Sequence, residues 1–127
     1  MLFRSDIRDA ETLAGIFAAN SFDQIVHLAA RAGVRPSLTQ TKLYYETNVI
    51  GTLNLLELAR EHGVPHFVFG SSSSVYGATC SVPFREDATI RKPISPYAAT
   101  KASGELLCHT YSHLYDIRTV CLRFFTV

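Results

Sequence analysis

Tryptophan is absent, and no apolar run within the 127 residues approaches the length of a bilayer span. The first residues also lack the charged-then-apolar pattern of a secretory signal, so the expected location is cytoplasmic, with any targeting segment lying upstream of Met1. Cysteine is scarce. Cys80, Cys108 and Cys121 are odd in number and widely spaced, with no Cys-x-x-Cys pair. That spacing argues against a zinc site and against a disulfide framework, leaving buried, reduced thiols as the expectation. Charge of one sign is missing too: 12 basic and 11 acidic residues are scattered along the chain. No basic stripe exists for nucleic acid. The seven glycines (15, 33, 51, 63, 70, 77 and 104) are dispersed, so no glycine-rich phosphate loop is present.

What is present is the balance of a globular domain, 47% hydrophobic and 18% charged, without repeat or linker. Short apolar runs alternate with amphipathic ones. Residues 2–4 read as a stub of strand ending at Asp6. In residues 10–20, Leu13, Ile16 and Phe17 share a face at helical spacing. Residues 23–29 read as a short buried strand and 41–62 as one long helix. The helix carries Val49, Leu53, Leu56 and Leu58 on its apolar face and meets Gly63 as a stop. Residues 66–70 form the next strand, 78–93 a loop, 96–115 a helix capped by Ser95, and 118–125 a final strand. This alternation predicts an α/β fold, a parallel sheet covered by helices on both faces, with a ligand crevice beyond the carboxyl ends of the strands.

The chemistry-bearing residues fall at those ends. Tyr97 and Lys101 stand one turn apart on a predicted helix and so share a face. A tyrosine is a poor base at its ordinary pKa of about 10, but a neighbouring ammonium favours the phenolate. Such a phenolate can take a proton from a hydroxyl while hydride leaves the same carbon. Taken alone, the pair also fits a surface contact on an amphipathic helix. The run Ser71-Ser72-Ser73-Ser74-Val75-Tyr76-Gly77 follows a buried strand, which places hydroxyls in the same crevice. Taken alone, it also fits a turn satisfying its own backbone.

Together, the serine run and Pro96-Tyr97-Ala98-Ala99-Thr100-Lys101 resemble the active-site signature of extended short-chain dehydrogenases, the NAD-dependent epimerase/dehydratase family. Further pieces appear in order: Asp6-Ile7-Arg8, His27-Leu28-Ala29-Ala30, Asn48 with Gly51-Thr52, and Leu122-Arg123-Phe124-Phe125-Thr126. The resemblance covers essentially the whole chain. It implies a partial Rossmann-type doubly wound domain over residues 1–127, equivalent to strands three to six of the family fold, with no separate substrate domain. It also implies NAD as cofactor and a UDP-sugar as substrate.

Carried onto these positions, the family pattern makes Ser72, Tyr97 and Lys101 catalytic, with Tyr97 the acid or base and Lys101 also holding the nicotinamide ribose. Asp6 and Ile7 would meet the adenine, and Leu28, Ala29 and Ala30 would line the cofactor beside Asn48. Phe124 would lie at the nicotinamide; Ser72, Ser73, Ser74, Phe125 and Thr126 would face the sugar. Dehydratases of the family resemble Thr-Asp-Glu over positions 72–74, and decarboxylases tend to carry a glutamate at the last of them. Hydroxyls alone point to 4-epimerisation. The phrasing Ala29-Ala30-Arg31-Ala32-Gly33-Val34-Arg35 and the serine run are most similar to UDP-glucuronate 4-epimerases. Arg31 or Arg35 is a candidate for holding the anionic sugar nucleotide; a solvated surface charge is the alternative.

Blander expectations attach elsewhere. His109 and His113 are spaced like helical metal ligands but lack a third ligand, so no metal is expected. His27 reads as a packed, hydrogen-bonded histidine, and Tyr44, Tyr45, Leu55 and Leu56 as packing residues. The family opens with a G-x-x-G-x-x-G turn that this sequence does not contain. The expectation is therefore an incomplete enzyme that binds NAD weakly or not at all alone. It would form a family-like homodimer or associate through the exposed edge of strand 23–29. A non-catalytic binding module of the same fold is the competing expectation.

Overall fold

In a computed structural model, residues 2–78, 82–90 and 92–126 are described. Helix α1 (Ala10–Ala19) starts where Asp9 accepts hydrogen bonds from the Thr12 backbone N–H at 3.0 Å and the Thr12 hydroxyl at 2.6 Å. It buries Leu13 and Phe17. Strand β1 (Gln24–His27) follows. Next come a short helix α2 (Val34–Thr39), α3 (Thr41–Tyr45), a π-helical turn (Glu46–Ile50) and α4 (Gly51–Glu61). Strand β2 (His66–Ser72) runs into a 3-10 turn (Ser73–Tyr76); helix α5 (Pro96–Tyr115) and strand β3 (Arg118–Phe124) complete the order.

The three strands are parallel in the order β1-β2-β3, with Val26 opposite Val68 and Val68 opposite Val120. The fold is α/β, a partial Rossmann-type sheet. Two successive crossovers run in the same direction, and the right-handed rule for such connections sends both to one face. Phe67, Phe69, Leu56, Cys108 and Tyr111 make the core on that face, joined by Leu13 and Phe17 from α1. Helix α5 comes so close that a Cβ on Gly104 would lie 2.3 Å from the Phe69 ring.

Several expectations change. Helices cover one face of the sheet among the described residues, not both: Val26, Val120 and Phe124 on the other face are each more than half exposed. Residues 2–5 form no strand, since a strand without a neighbour has no ladder to join. The long helix over 41–62 is interrupted by the π turn, and α2 occupies a stretch left without an element. Tyr45, expected to pack, is 39% exposed, whereas Tyr44 is 2% exposed. Gly63 does stop α4, in the left-handed region at φ +65°.

Candidate active site

Four chain segments meet at the carboxyl ends of the strands. A cleft of about 520 Å³ there is lined by Leu28, Ala30 and Val34 after β1, and by Gly70 to Ser74 at the end of β2. Tyr97 and Lys101 enter it from α5, and Phe124, Phe125 and Thr126 from the end of β3. Every residue expected to be catalytic or to face the sugar therefore borders one space.

Local chemistry explains why each is there. Helix α5 begins at Ser95, whose Oγ accepts from the Ala98 N–H at 3.1 Å, with Pro96 in the first turn. That start sets Tyr97 and Lys101 on the inward face. Tyr97 lies edge-on to Tyr44, with ring centroids 6.3 Å apart, and the Tyr44 hydroxyl donates to the Ala32 carbonyl at 2.6 Å. Tyr44 thus ties the loop after β1 to helix α5. Lys101 is only 5% exposed and donates from Nζ to the Gly70 carbonyl at 2.6 Å, 5.0 Å from the centre of the Phe69 ring. Burial pushes its pKa down to about 8. Ser72 accepts from the Ser74 N–H at 3.2 Å, so it caps the 3-10 turn with its oxygen and keeps its own proton to donate.

A second cleft, about 540 Å³, shares Ala30 with the first and is lined by Arg4, Ser5, Asp6, Ile7, Ala29 and Thr47. Arg8 donates to the Asp6 carboxylate at 2.7 and 3.0 Å and holds it down to about 2. Ile7 packs where a Cβ on Gly51 would sit, 2.6 Å away, and its carbonyl accepts from Asn54 Nδ2 at 2.9 Å. The Thr47 hydroxyl oxygen is buried without a partner among the described residues. A ligand group reaching that cleft would meet an unsatisfied hydroxyl, an exposed carboxylate and apolar walls.

Asn48 lies behind both clefts. Its Oδ1 accepts from the Arg31 N–H at 2.8 Å; its Nδ2 donates to the Arg31 carbonyl and to Thr100 Oγ1, each at 3.0 Å. It clamps the loop after β1 to α5. The Thr52 hydroxyl gives its one proton to the Asn48 carbonyl at 2.6 Å, so toward His27 Nε2, 2.9 Å away, it acts as acceptor. His27 is then a neutral Nε2–H donor; desolvation, helped by the Lys101 charge, pushes its pKa down to about 4. It is a packed histidine, as expected. Arg31 and Arg35 are exposed, as are His109 and His113, and no group of metal-ligating side chains occurs among the described residues.

Sequence reasoning missed a half-buried ion pair. Arg123 donates to Glu105 at 2.9 and 3.0 Å, both side chains being 15% exposed or less. The Ser71 hydroxyl donates to the same carboxylate at 2.5 Å, and Arg123 lies 4.8 Å from the centre of the Tyr76 ring. The pair braces the serine turn from behind. Glu105 stands one turn beyond Lys101, a spacing that signals a shared face, but its partner was invisible without the β2–β3 register. Thr47 was also missed.

Comparison with known proteins agrees with this geometry. The family model described as the NAD dependent epimerase/dehydratase family matches residues 1–127. The chain is 47% identical to a UDP-glucuronate 4-epimerase of Thermodesulfobacterium geofontis, over 98% of this chain and 38% of that one. It is 44% identical to UDP-glucuronate 4-epimerase 4 of Arabidopsis thaliana, over 99% of this chain and 29% of that one. Among solved structures, UDP-glucose 4-epimerase of Thermus thermophilus in complex with NAD superposes with a TM-score of 0.88 at 37% identity, covering 95% of this chain and 39% of that one. The Bifidobacterium longum UDP-glucose 4-epimerase in complex with NAD+ and UDP gives 0.92 at 29% identity, covering 98% and 37%. The chain thus spans well under half the length of these relatives. With its signature residues gathered at one strand-end cleft and the family model matched from end to end, the chain belongs to the NAD dependent epimerase/dehydratase family.

Proposed function

We propose that this chain is the catalytic portion of a UDP-glucuronate 4-epimerase that works with NAD. The observation that carries the reading is the convergence of Ser72, Tyr97 and Lys101 on one cleft with Phe124, Phe125 and Thr126. Hydroxyls at positions 72–74, without a carboxylate among them, favour epimerisation over elimination of water. The names of the relatives near 45% identity favour the glucuronate over the glucose nucleotide.

In this reading the two clefts joined at Ala30 hold the extended cofactor. Asp6, Ile7 and Thr47 serve the adenosine end; Leu28, Ala29, Ala30, Lys101 and Phe124 serve the nicotinamide end. Bound NAD supplies a transient hydride acceptor for carbon 4 of the sugar. Tyr97 accepts the 4-hydroxyl proton and later returns it, and the Ser72 hydroxyl donates a hydrogen bond to the same oxygen while keeping its proton. Lys101, held by Gly70, keeps positive charge near the phenolate and offers its remaining N–H bonds to the ribose. Asn48 fixes the loop that lines both clefts.

The test is to incubate the protein as isolated from its source with UDP-glucuronate and NAD and follow the sugar by proton NMR. The expected result is UDP-galacturonate at equilibrium with substrate, with the rate falling by about 10²–10⁴-fold in Tyr97→Phe. Turnover of UDP-glucose with UDP-glucuronate untouched would reassign the substrate. Unchanged sugar in the presence of firmly bound NAD would leave the non-catalytic binding module as the better reading.

A further inference from the structure

Cys108 and Cys121 come from α5 and β3 and face each other across the helix–sheet contact. Cys108 has no exposure and belongs to the core; Cys121, on the helix-facing side of β3, is half-buried and packs against that same core. The Thr119 hydroxyl donates to the Cys108 carbonyl at 3.4 Å, fixing this turn of α5 to the strand. Unlike Cys108, Cys121 also borders open space. It lines a third cleft, about 380 Å³, with Tyr76, Phe84, Glu86, Glu105 and Arg123.

We propose that Cys121 is an oxidisable thiol with Cys108 as its resolving partner, so that a small-molecule disulfide entering the third cleft converts the pair to a disulfide joining α5 to β3. This is independent of the epimerase reading. The two thiols have unequal roles. Hydrogen bonding from its partner favours the Cys121 thiolate and disfavours that of Cys108; burial raises Cys108 further, while at Cys121 burial and the Glu105 charge work against the lowering and the Arg123 charge adds to it, leaving the net direction down. The accessible sulfur is therefore the better nucleophile and the enclosed one the follower.

The chemistry balances in two exchanges. The Cys121 thiolate attacks one sulfur of the reagent, forming a mixed disulfide as the reagent S–S bond breaks and one thiolate leaves. That leaving thiolate takes the Cys108 proton; Cys108 Sγ then attacks Cys121 Sγ and expels the second thiolate. Two protein thiols are oxidised and one reagent disulfide is reduced to two thiols.

The experiment exposes the full chain, under native conditions and in a Cys80→Ser background, to oxidised glutathione and reads intact mass and peptide maps. The expected result is a cross-linked Cys108–Cys121 peptide pair and loss of two hydrogens from the protein. Cys108→Ala should stop at a stable glutathione adduct on Cys121, and Cys121→Ser should lose both adduct and cross-link. Mapping of the Cys80→Ser protein decides by itself if either second variant fails to fold. Two thiols that stay free, a lasting adduct on Cys121 with Cys108 still reduced, or a cross-link seen only after denaturation would overturn the proposal.

Discussion

Lys101 reaches across from α5 to the Gly70 carbonyl at the end of β2, 2.6 Å away, and in doing so carries a charge into a site 5% exposed. Its pKa falls to about 8 from the ordinary 10.5 because burial disfavours the ammonium. The unfolded chain therefore binds more protons than the folded one between those values, and stability rises with pH across that window. The gain is complete above the unfolded value and lost as pH falls toward about 8, amounting to about 3 kcal/mol. Denaturation of wild type and Lys101→Met from pH 7 to 11 should show wild type gaining on the variant through that window. Parallel curves would contradict the burial argument.

His27 has the same sign at lower pH. Its pKa stands at about 4 against 6.5, so its contribution is full above 6.5 and disappears as pH falls toward 4. The loss is about 3 kcal/mol at most. Acid titration of His27→Gln should lack this part of the slope. NMR of the imidazole should find the Nε2–H tautomer at neutral pH; an Nδ1–H ring would break the assignment made through Thr52.

Glu105 and Arg123 form a pair that neither can leave alone. Removing one partner strands a half-buried charge and should cost about 1–3 kcal/mol. A double-mutant cycle on Glu105→Gln, Arg123→Met and the combination tests this. The double variant should be less destabilised than the two singles summed, since it strands no charge. Additive losses would mean the two side chains act separately.

Gly104→Ala sets two effects against each other. Helix propensity favours alanine by about 1 kcal/mol. The added methyl, however, would lie 2.3–3.0 Å from atoms of the buried Phe69 ring, and overpacking of this kind costs about 1–3 kcal/mol. The ring is 1% exposed and has little room to yield. Net destabilisation is expected, read as a lower midpoint in urea; a raised midpoint would show that the helix can shift.

Much of this was legible because local signals and tertiary packing agreed. Ser95 and Pro96 announce the start of α5, and the apolar runs around Phe67 and Val120 announce strands. Helix α2 was not legible because six residues are too few to show a helical period, and Pro36 is tolerated there only because it falls in the first turn. The π turn hid inside ordinary helical spacing: its residues Thr47 and Asn48 look like any helical pair until hydrogen bonds are assigned. The candidate site residues stood out through their joint order along the chain. Their supports, Glu105 with Arg123 and Tyr44 with Ala32, depend on which strands and loops become neighbours, and no window of sequence reports that.

The turn at Glu46–Ile50 also keeps the count of the chain. Its Gly51 N–H reaches back to the Glu46 carbonyl, one residue further than an α-helix would. Five residues in this wider turn cover about the rotation that four cover in an α-helix, so the turn takes up one extra residue while the helices on either side stay in phase. Tyr44 and Thr52 therefore face Ala32 and His27 at once across the interruption. A single-codon deletion in this stretch would let the helix close up with little change of phase, whereas one within α4 would turn the residues beyond it by about 100° relative to those before it. The same deletion among residues 86–90, where no helix carries the register, would merely shorten a loop.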